Sequence, residues 1–199
     1  MSEQYFTQHP QSKSNPKTWT YELRNQVLTF TSDTGVFSKN TVDFGSKTLI
    51  ESFILPEADG AIVDLGCGYG PIGLSIAKAF PDRQIVMGDI NGRAVELAKI
   101  NMERNKLTNV RVFLSDQFSQ LPDETYAAVL TNPPIRIGKK VVHEMFEQAH
   151  QHLSSDGELW VVIQKKQGAP SAIKKMESLF RDVEVVCKEK GYFIIRAIK

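Results

Sequence analysis

Residues 61–71 read Ala61-Ile62-Val63-Asp64-Leu65-Gly66-Cys67-Gly68-Tyr69-Gly70-Pro71. A short buried-strand pattern runs into alternating glycines, and a helix-like stretch follows from Pro71 to Phe80. Glycine lets the chain turn sharply and lets a ligand approach the backbone. The new helix points its free N–H groups at the same place. A second strand, Gln84 to Gly88, leads to Asp89, 23 residues past Gly66. An acid there can accept from both hydroxyls of a ribose. Gly68-Tyr69-Gly70-Pro71-Ile72-Gly73 also fits the dinucleotide fingerprint, which is weak by itself. Asp64 separates the two ligands. Inside the strand, just ahead of the glycines, it would repel a pyrophosphate but engage an amino or sulfonium group. The pattern favours S-adenosylmethionine over a dinucleotide.

Outward from this unit, strands and helices alternate. Upstream, Tyr21 to Thr31 reads as a β-hairpin with Arg24-Asn25 at its turn. Asp43 to Ile54 reads as a helix with Asp43 as N-cap, and Pro56 to Gly60 turns into the first core strand. Downstream, a helix spans Asn91 to Lys106 and a strand Val110 to Leu114. Another strand covers Tyr126 to Leu130. Val142, Met145, Phe146, Ala149 and Leu153 form one helical stripe. A strand over Leu159 to Ile163 and a helix over Ser171 to Phe180 follow. Val183 to Cys187 and Phe193 to Ile198 close the chain, joined by a short turn containing Gly191, so those two run antiparallel. The class is α/β: a mostly parallel sheet with an antiparallel C-terminal strand and helices on both faces. A small N-terminal hairpin and helix (18–55) precede the core (56–199) in a single domain. Residues 1–17 are polar, hold two prolines and read as a loosely held tail.

Asn132-Pro133-Pro134-Ile135 stands directly after the fourth strand. Each proline fixes its own φ and pushes its predecessor out of the helical region. Asn132 is left at a stiff, extended corner with an acceptor oxygen and two donors, and the Pro133 carbonyl adds an acceptor. Such a corner can grip a planar group bearing an NH2; an ordinary strand-to-helix turn is the plainer reading.

The chain has 199 residues, 41% of them hydrophobic, enough for one well-cored domain. A net charge of +1 carries no global nucleic-acid signal. Position says more. Arg136 abuts the Asn-Pro-Pro corner, Lys139 and Lys140 follow the fourth strand, Lys165 and Lys166 follow the fifth, and Lys39 and Lys47 flank residues 35–46. Gathered on the active face, they would form a basic rim suited to RNA phosphates; scattered, they are solvated lysines. Cys67 and Cys187 are unpatterned, as in a reducing cytosol. Cys67 reads as a small space-filler within the loop. His143, His150 and His152 lack the i, i+3 or i, i+4 spacing of a helical metal pair, so no metal is expected. No apolar run reaches membrane-span length, and no signal-peptide core opens the chain. A cytoplasmic protein is expected, with a monomer favoured.

Asp64-Leu65-Gly66-Cys67-Gly68-Tyr69-Gly70, Asp89, Ser115-Asp116 and Asn132-Pro133-Pro134 resemble the ordered motifs of the Rossmann-like class I S-adenosylmethionine-dependent methyltransferases. Gly35-Val36-Phe37-Ser38 with Asp43-Phe44-Gly45-Ser46 is similar to the segment ahead of the first motif in the bacterial small-subunit ribosomal RNA guanine-N2 methyltransferases. The resemblance runs from about Trp19 to the C-terminus. Longer members carry an amino-terminal companion domain, so this chain is expected to be the catalytic domain alone. The resemblance implies a cofactor site of Asp64, Gly66, Cys67, Gly68, Gly70, Asp89, Ile90, Ser115, Asp116 and Asn132. Asp116 either accepts from the adenine amine or caps the next segment. Catalysis falls to Asn132, Pro133 and Pro134, and substrate contact to Phe37, Ile135, Arg136, Lys139, Lys140, Lys165 and Lys166. Where the family usually has a stacking aromatic, this chain has Ile135. Phe37 either replaces that aromatic or packs in the core. The implied reaction methylates an exocyclic amine, guanine N2 of small-subunit ribosomal RNA, naked or in an assembled subunit. A protein glutamine N5-methyltransferase shares the corner. A non-catalytic RNA-binding domain disagrees with the intact glycine loop. A nicotinamide oxidoreductase disagrees with the lack of a following substrate domain.

Overall fold

The computed structural model describes residues 14–38 and 41–199. Lys39 and most of the expected tail lie outside them. Ser14 and Asn15, also expected in that tail, instead bond to Asp33: the Ser14 hydroxyl donates to Oδ2 over 2.7 Å and the Asn15 N–H to Oδ1 over 2.6 Å.

Seven strands form one sheet. In chain order they are β3 (Ala61–Leu65), β4 (Ile85–Asp89), β5 (Val110–Leu114), β6 (Tyr126–Thr131), β7 (Leu153–Gln164), β8 (Asp182–Glu189) and β9 (Tyr192–Ile198). Their spatial order is β5-β4-β3-β6-β7-β9-β8. Strands β5 to β7 pair in parallel, while β9 runs antiparallel to both β7 and β8. Order reverses between β3 and β6, with Asp64 in register with Leu130. Ligands of open α/β sheets bind outside the carboxyl ends at such a switch point.

Helices α1 (Phe44–Ser52), α2 (Pro71–Ala79) and α3 (Gly92–Arg104) share one apolar layer with one face of the sheet. Helices α4 (Lys139–His152) and α5 (Ala169–Glu177) share the other. Alternation along β3 shows why: Ile62 faces the first layer and Val63 the second. Asp43 caps α1 by accepting from Ser46 N–H, and Asn91 caps α3.

The hairpin β1 (Lys17–Leu23) and β2 (Gln26–Ser32) is a separate two-stranded sheet turning at Arg24 and Asn25, both in the left-handed region. It docks through amides. Asn105 accepts from Thr29 N–H (2.9 Å) and donates to its carbonyl (2.8 Å). Asn101, one turn earlier on α3, does the same for Thr31 (2.6 and 2.9 Å). These side chains complete an edge that would otherwise lose its ladder partners.

The elements differ from expectation mainly at their ends. Leu153, expected in the stripe of α4, instead caps that helix and opens β7, which begins six residues before the expected Leu159. Helix α5 covers 169–177, not 171–180, with Pro170 in its first turn. Among the described residues no helix is long and apolar enough to cross a membrane, and no group of three or more His, Cys, Asp or Glu could hold a metal ion.

Candidate active site

Asp64, Asp89 and Asp116 end up at the carboxyl ends of β3, β4 and β5, three adjacent strands. Backbone N–H groups of Gly66 and Cys67 both donate to the Gly88 carbonyl, at 2.8 and 3.0 Å, tying the loop to β4. Gly66 and Gly68 have φ of +77° and +57°, and a Cβ on either would meet nothing within 4 Å. The loop therefore needs glycine for its conformation and opens onto free space. Gly70, in the left-handed region, precedes the first turn of α2.

Asp64 is buried. Its Oδ2 accepts from Gly73 N–H at 2.7 Å, while Oδ1 is buried without a partner. Burial pushes this carboxyl up to about 7; the Gly73 bond works against that and nearby Asp89 adds to it. An orphaned buried carboxylate oxygen is costly to leave unpaired, and a cationic or N–H-bearing ligand group is the chemistry that would satisfy it. Asp89 Oδ2 accepts from Gly68 N–H and Oδ1 from Asn91 N–H, each over 2.8 Å. Burial raises its carboxyl, opposed by backbone N–H bonds from Asn91, Gly68 and Ile90. Ile90 itself is partly exposed beside it.

The remaining cofactor candidates divide. Asp116 is exposed at the end of β5, and its carbonyl accepts from Ser119 N–H over 3.1 Å. The Ser115 hydroxyl is committed within the turn, donating to the Gln117 carbonyl (2.8 Å) and accepting from Gln120 N–H (3.0 Å). Cys67 is buried in the core layer and its thiol is held well above its ordinary range by burial, as a space-filler requires.

Asn132 leaves β6 beside the glycine loop, since the Thr131 hydroxyl donates to the Leu65 carbonyl at 2.8 Å. Its Nδ2 donates to Asp43 Oδ2 at 3.0 Å and to Ser46 Oγ at 2.9 Å. Both amide hydrogens are thus spent within the protein. Oδ1 is what the side chain can still offer. Pro133 is buried and Pro134 partly so, and a 3-10 turn, Ile135–Ile137, leads to α4. Ile135 packs against the α4–α5 layer.

The segment after β2 crosses above α3. Asn91 Nδ2 donates to the Gly35 carbonyl at 3.0 Å, Arg93 to the Thr34 carbonyl at 2.7 Å, and the Tyr69 hydroxyl to the Thr41 carbonyl at 3.2 Å. Phe37 rides on this crossing with 53% of its surface exposed, so it does not pack in the core.

The lysines do not all gather. Arg136, Lys165 and Lys166 are exposed at the ends of β6 and β7. Lys139 and Lys140 line a groove of about 620 Å³ between α4 and α5, shared with His143, Glu144, Glu147 and Lys175. Lys140 lies 3.8 Å from Glu144, and Lys175 pairs with Glu147. Lys188 and Lys190, overlooked in the sequence, are exposed near the β8–β9 turn, which Lys165 N–H ties to β7 through the Gly191 carbonyl at 2.8 Å. Two lysines around a hairpin turn are an available signal once that turn is placed at the carboxyl end of β7. The histidines part company: His143 lies by Ser171, His150 meets Phe180 edge-on, and His152 stacks on Phe118.

Comparison with known proteins decides the class, because residues 27–196 match the family described as Methyltransferase small domain. The chain belongs to that methyltransferase family. It is 60% identical over 200 residues to Uncharacterized protein YbxB of Bacillus subtilis, covering 100% of both chains. It is 36% identical over 187 residues to Ribosomal RNA small subunit methyltransferase C of Vibrio parahaemolyticus, covering 92% of this chain and 53% of that one. To Ribosomal RNA large subunit methyltransferase G of Psychromonas ingrahamii it is 31% identical over 189 residues, covering 90% and 48%. A T. thermophilus 16S rRNA N2 methyltransferase, solved in complex with AdoMet and guanosine, shares the fold at TM-score 0.83 and 23% identity, over 94% of this chain and 51% of that one. This methyltransferase spans about half the length of those ribosomal RNA methyltransferases.

Proposed function

We propose that this methyltransferase uses S-adenosylmethionine to methylate an exocyclic amine, guanine N2 of small-subunit ribosomal RNA. One observation carries the reading. Asn132 presents an acceptor oxygen, its donors already spent, beside a glycine loop backed by an orphaned carboxylate. The named relatives supply the RNA context. Asp64, the glycine loop, Asp89, Ile90 and Asp116 would hold the cofactor, which when bound supplies an electrophilic methyl on a sulfonium. The substrate amine is a poor nucleophile because its lone pair delocalises into the ring. Asn132 Oδ1 and the Pro133 carbonyl accept its two hydrogens, favour a pyramidal nitrogen and stabilise its growing positive charge. Phe37, exposed on the crossing segment, offers the base a ring face that Ile135 does not. A guanine within a helix must first be exposed or flipped out.

The test is tritiated methyl transfer onto ribosomal subunits and naked RNA from cells lacking the protein, with the product nucleoside identified. Label in N2-methylguanosine of the small subunit supports the reading. Label in large-subunit RNA keeps the chemistry and corrects the target, and label in a protein glutamine overturns the RNA assignment.

Cofactor affinity should depend on pH. With its carboxyl near 7, Asp64 is protonated in the ligand-free protein at lower pH and cannot receive the cofactor's ammonium. Affinity should fall below about pH 7, by up to roughly tenfold per pH unit, and Asp64→Asn should abolish the slope. The stability sign is the reverse. A carboxyl raised above its unfolded value of 3.8 takes up a proton on folding, so its contribution to stability is lost as pH rises toward 7. Ligand-free Asp64→Asn should melt higher than wild type at pH 8. Calorimetric titrations and melts from pH 5.5 to 8 check both; a flat affinity profile would remove Asp64 from the ammonium site.

RNA binding should localise to the carboxyl end of β7 and the β8–β9 turn. Lys165→Ala/Lys190→Ala should reduce the slope of log affinity against log salt concentration by about 0.7 per lost phosphate contact. Lys139→Ala/Lys140→Ala should change it less, because that pair faces Glu144 and Glu147. Salt plots parallel to wild type for Lys165→Ala/Lys190→Ala would refute this rim.

A further inference from the structure

We infer that Asp43 and Ser46 are positioning residues that lock the Asn132 amide in one orientation, so that the site admits only a group that donates N–H. The inference rests on the amino-group reading above and deepens it. Asp43 Oδ2 and Ser46 Oγ take the two hydrogens of Asn132 Nδ2 at 3.0 and 2.9 Å. Carboxylates only accept. A flipped Asn132 would set its carbonyl oxygen against Asp43 Oδ2, losing one bond outright and adding a repulsion. The orientation is therefore dictated by chemistry and not by a free choice between oxygen and nitrogen.

Asp43 is itself held. The same Oδ2 accepts from Ser46 N–H at 3.0 Å, capping α1. Helix α1 is seated in turn against the start of β9. A Cβ at Gly45 would come within 2.8 Å of the Tyr192 ring, so only glycine permits that approach, and Phe44 lies 5.7 Å from Tyr192 between ring centroids. The start of α1, the end of β6 and the start of β9 thus form one linked assembly with Asn132 Oδ1 as its outlet. Such an outlet selects a substrate bearing hydrogens, an amine or a primary amide, and rejects a ring carbonyl at the same place, which would bring two acceptors together.

Asp43→Asn is the informative variant. Asparagine is as good an N-cap as aspartate, so the melting midpoint should stay within about 2–3 °C. Its amide, however, can face Asn132 either way, which releases the lock. Two readouts follow. In 1H–15N spectra of the ligand-free protein, the Asn132 side-chain pair is assigned by its absence from Asn132→Ala. That pair should move in Asp43→Asn and in Ser46→Ala, and an unmoved pair in both overturns the inference. In methyl transfer, Asp43→Asn should lower kcat about tenfold while cofactor affinity stays within about twofold. On an Asn132→Ala background it should add almost nothing, because both changes remove one function. Independent, multiplying losses would mean a structural role for Asp43 and overturn the proposal. If Asn132→Ala retains full turnover, the amino-group reading fails. If Asn132→Ala is impaired while Asp43→Asn and Ser46→Ala match wild type, only the positioning fails. Should Asp43→Asn melt early, Ser46→Ala carries the same two tests.

Discussion

Asn132→Ala should lower the turnover number about a hundred-fold or more while leaving cofactor affinity within about twofold. The side chain is held by Asp43 and Ser46 with its oxygen outward. On the proposed mechanism that oxygen would meet an amine hydrogen whose acidity grows as the nitrogen forms its new bond, so the hydrogen bond would strengthen along the reaction. An interaction that is stronger in the transition state than in the ground state appears in kcat. Asn132→Asp provides the contrast. It keeps an oxygen outward, but its carboxylate meets Asp43 where an amide NH2 stood, at the 3.0 Å now occupied by a hydrogen bond. Two carboxylates at that distance cannot both ionise comfortably, so this variant should also lose turnover and should melt earlier as pH rises above the carboxylate range. Steady-state kinetics with calorimetry on the same preparations decide the matter. If only the Michaelis constant rises in Asn132→Ala, the residue is a uniform binding contact and the amine-orienting account is wrong.

Asp89→Ala should weaken S-adenosylmethionine and S-adenosylhomocysteine alike, by about a hundred-fold, or close to 3 kcal/mol. Two losses combine. The ribose hydroxyls would lose a charged acceptor, and the glycine loop loses its side-chain tie to β4, since Asp89 Oδ2 accepts from Gly68 N–H and Oδ1 from Asn91 N–H. Asp89→Asn would not rescue: one of those N–H groups would then face an NH2. Both variants should therefore bind poorly, with the alanine protein also less protected from amide exchange along 66–70. Unchanged affinity in a folded Asp89→Ala protein would remove Asp89 from the cofactor site.

Much of this site was readable along the chain, and for local reasons. Turn sterics made the glycines after Leu65 a loop, and Gly66 and Gly68 do hold positive φ. Capping chemistry marked Asp43 and Asn91. Strand-end placement gathered Asp64, Asp89 and Asp116, because parallel strands joined through helices must all end on one side. The closing Gly191 turn forced β8 and β9 to run antiparallel. Residues that act beyond their neighbourhood carry no such local mark. Asp43 was legible as a cap but not as the partner of Asn132, 89 residues away. Lys139 and Lys140 sat in the right order after β6, yet the axis of α4 turns them into the groove it forms with α5, beside Glu144 and Glu147 of their own helix. Phe37 was open between core and surface until the crossing of Thr34 and Gly35 over Asn91 and Arg93 left it exposed.

Local chemistry was enough to set the alternation of strands and helices, the loop that turns at β3 and the proline corner at Asn132. Each depends on sterics and hydrogen bonds within a few residues. Long-range packing set which groups Asn132 has left, which lysines share the face of the site, and that Asn101 and Asn105 bind the hairpin to the core as a surrogate strand. Those outcomes depend on how distant segments cross the carboxyl end of the sheet, and a buried amide or carboxylate takes whatever partner that crossing brings within about 3 Å.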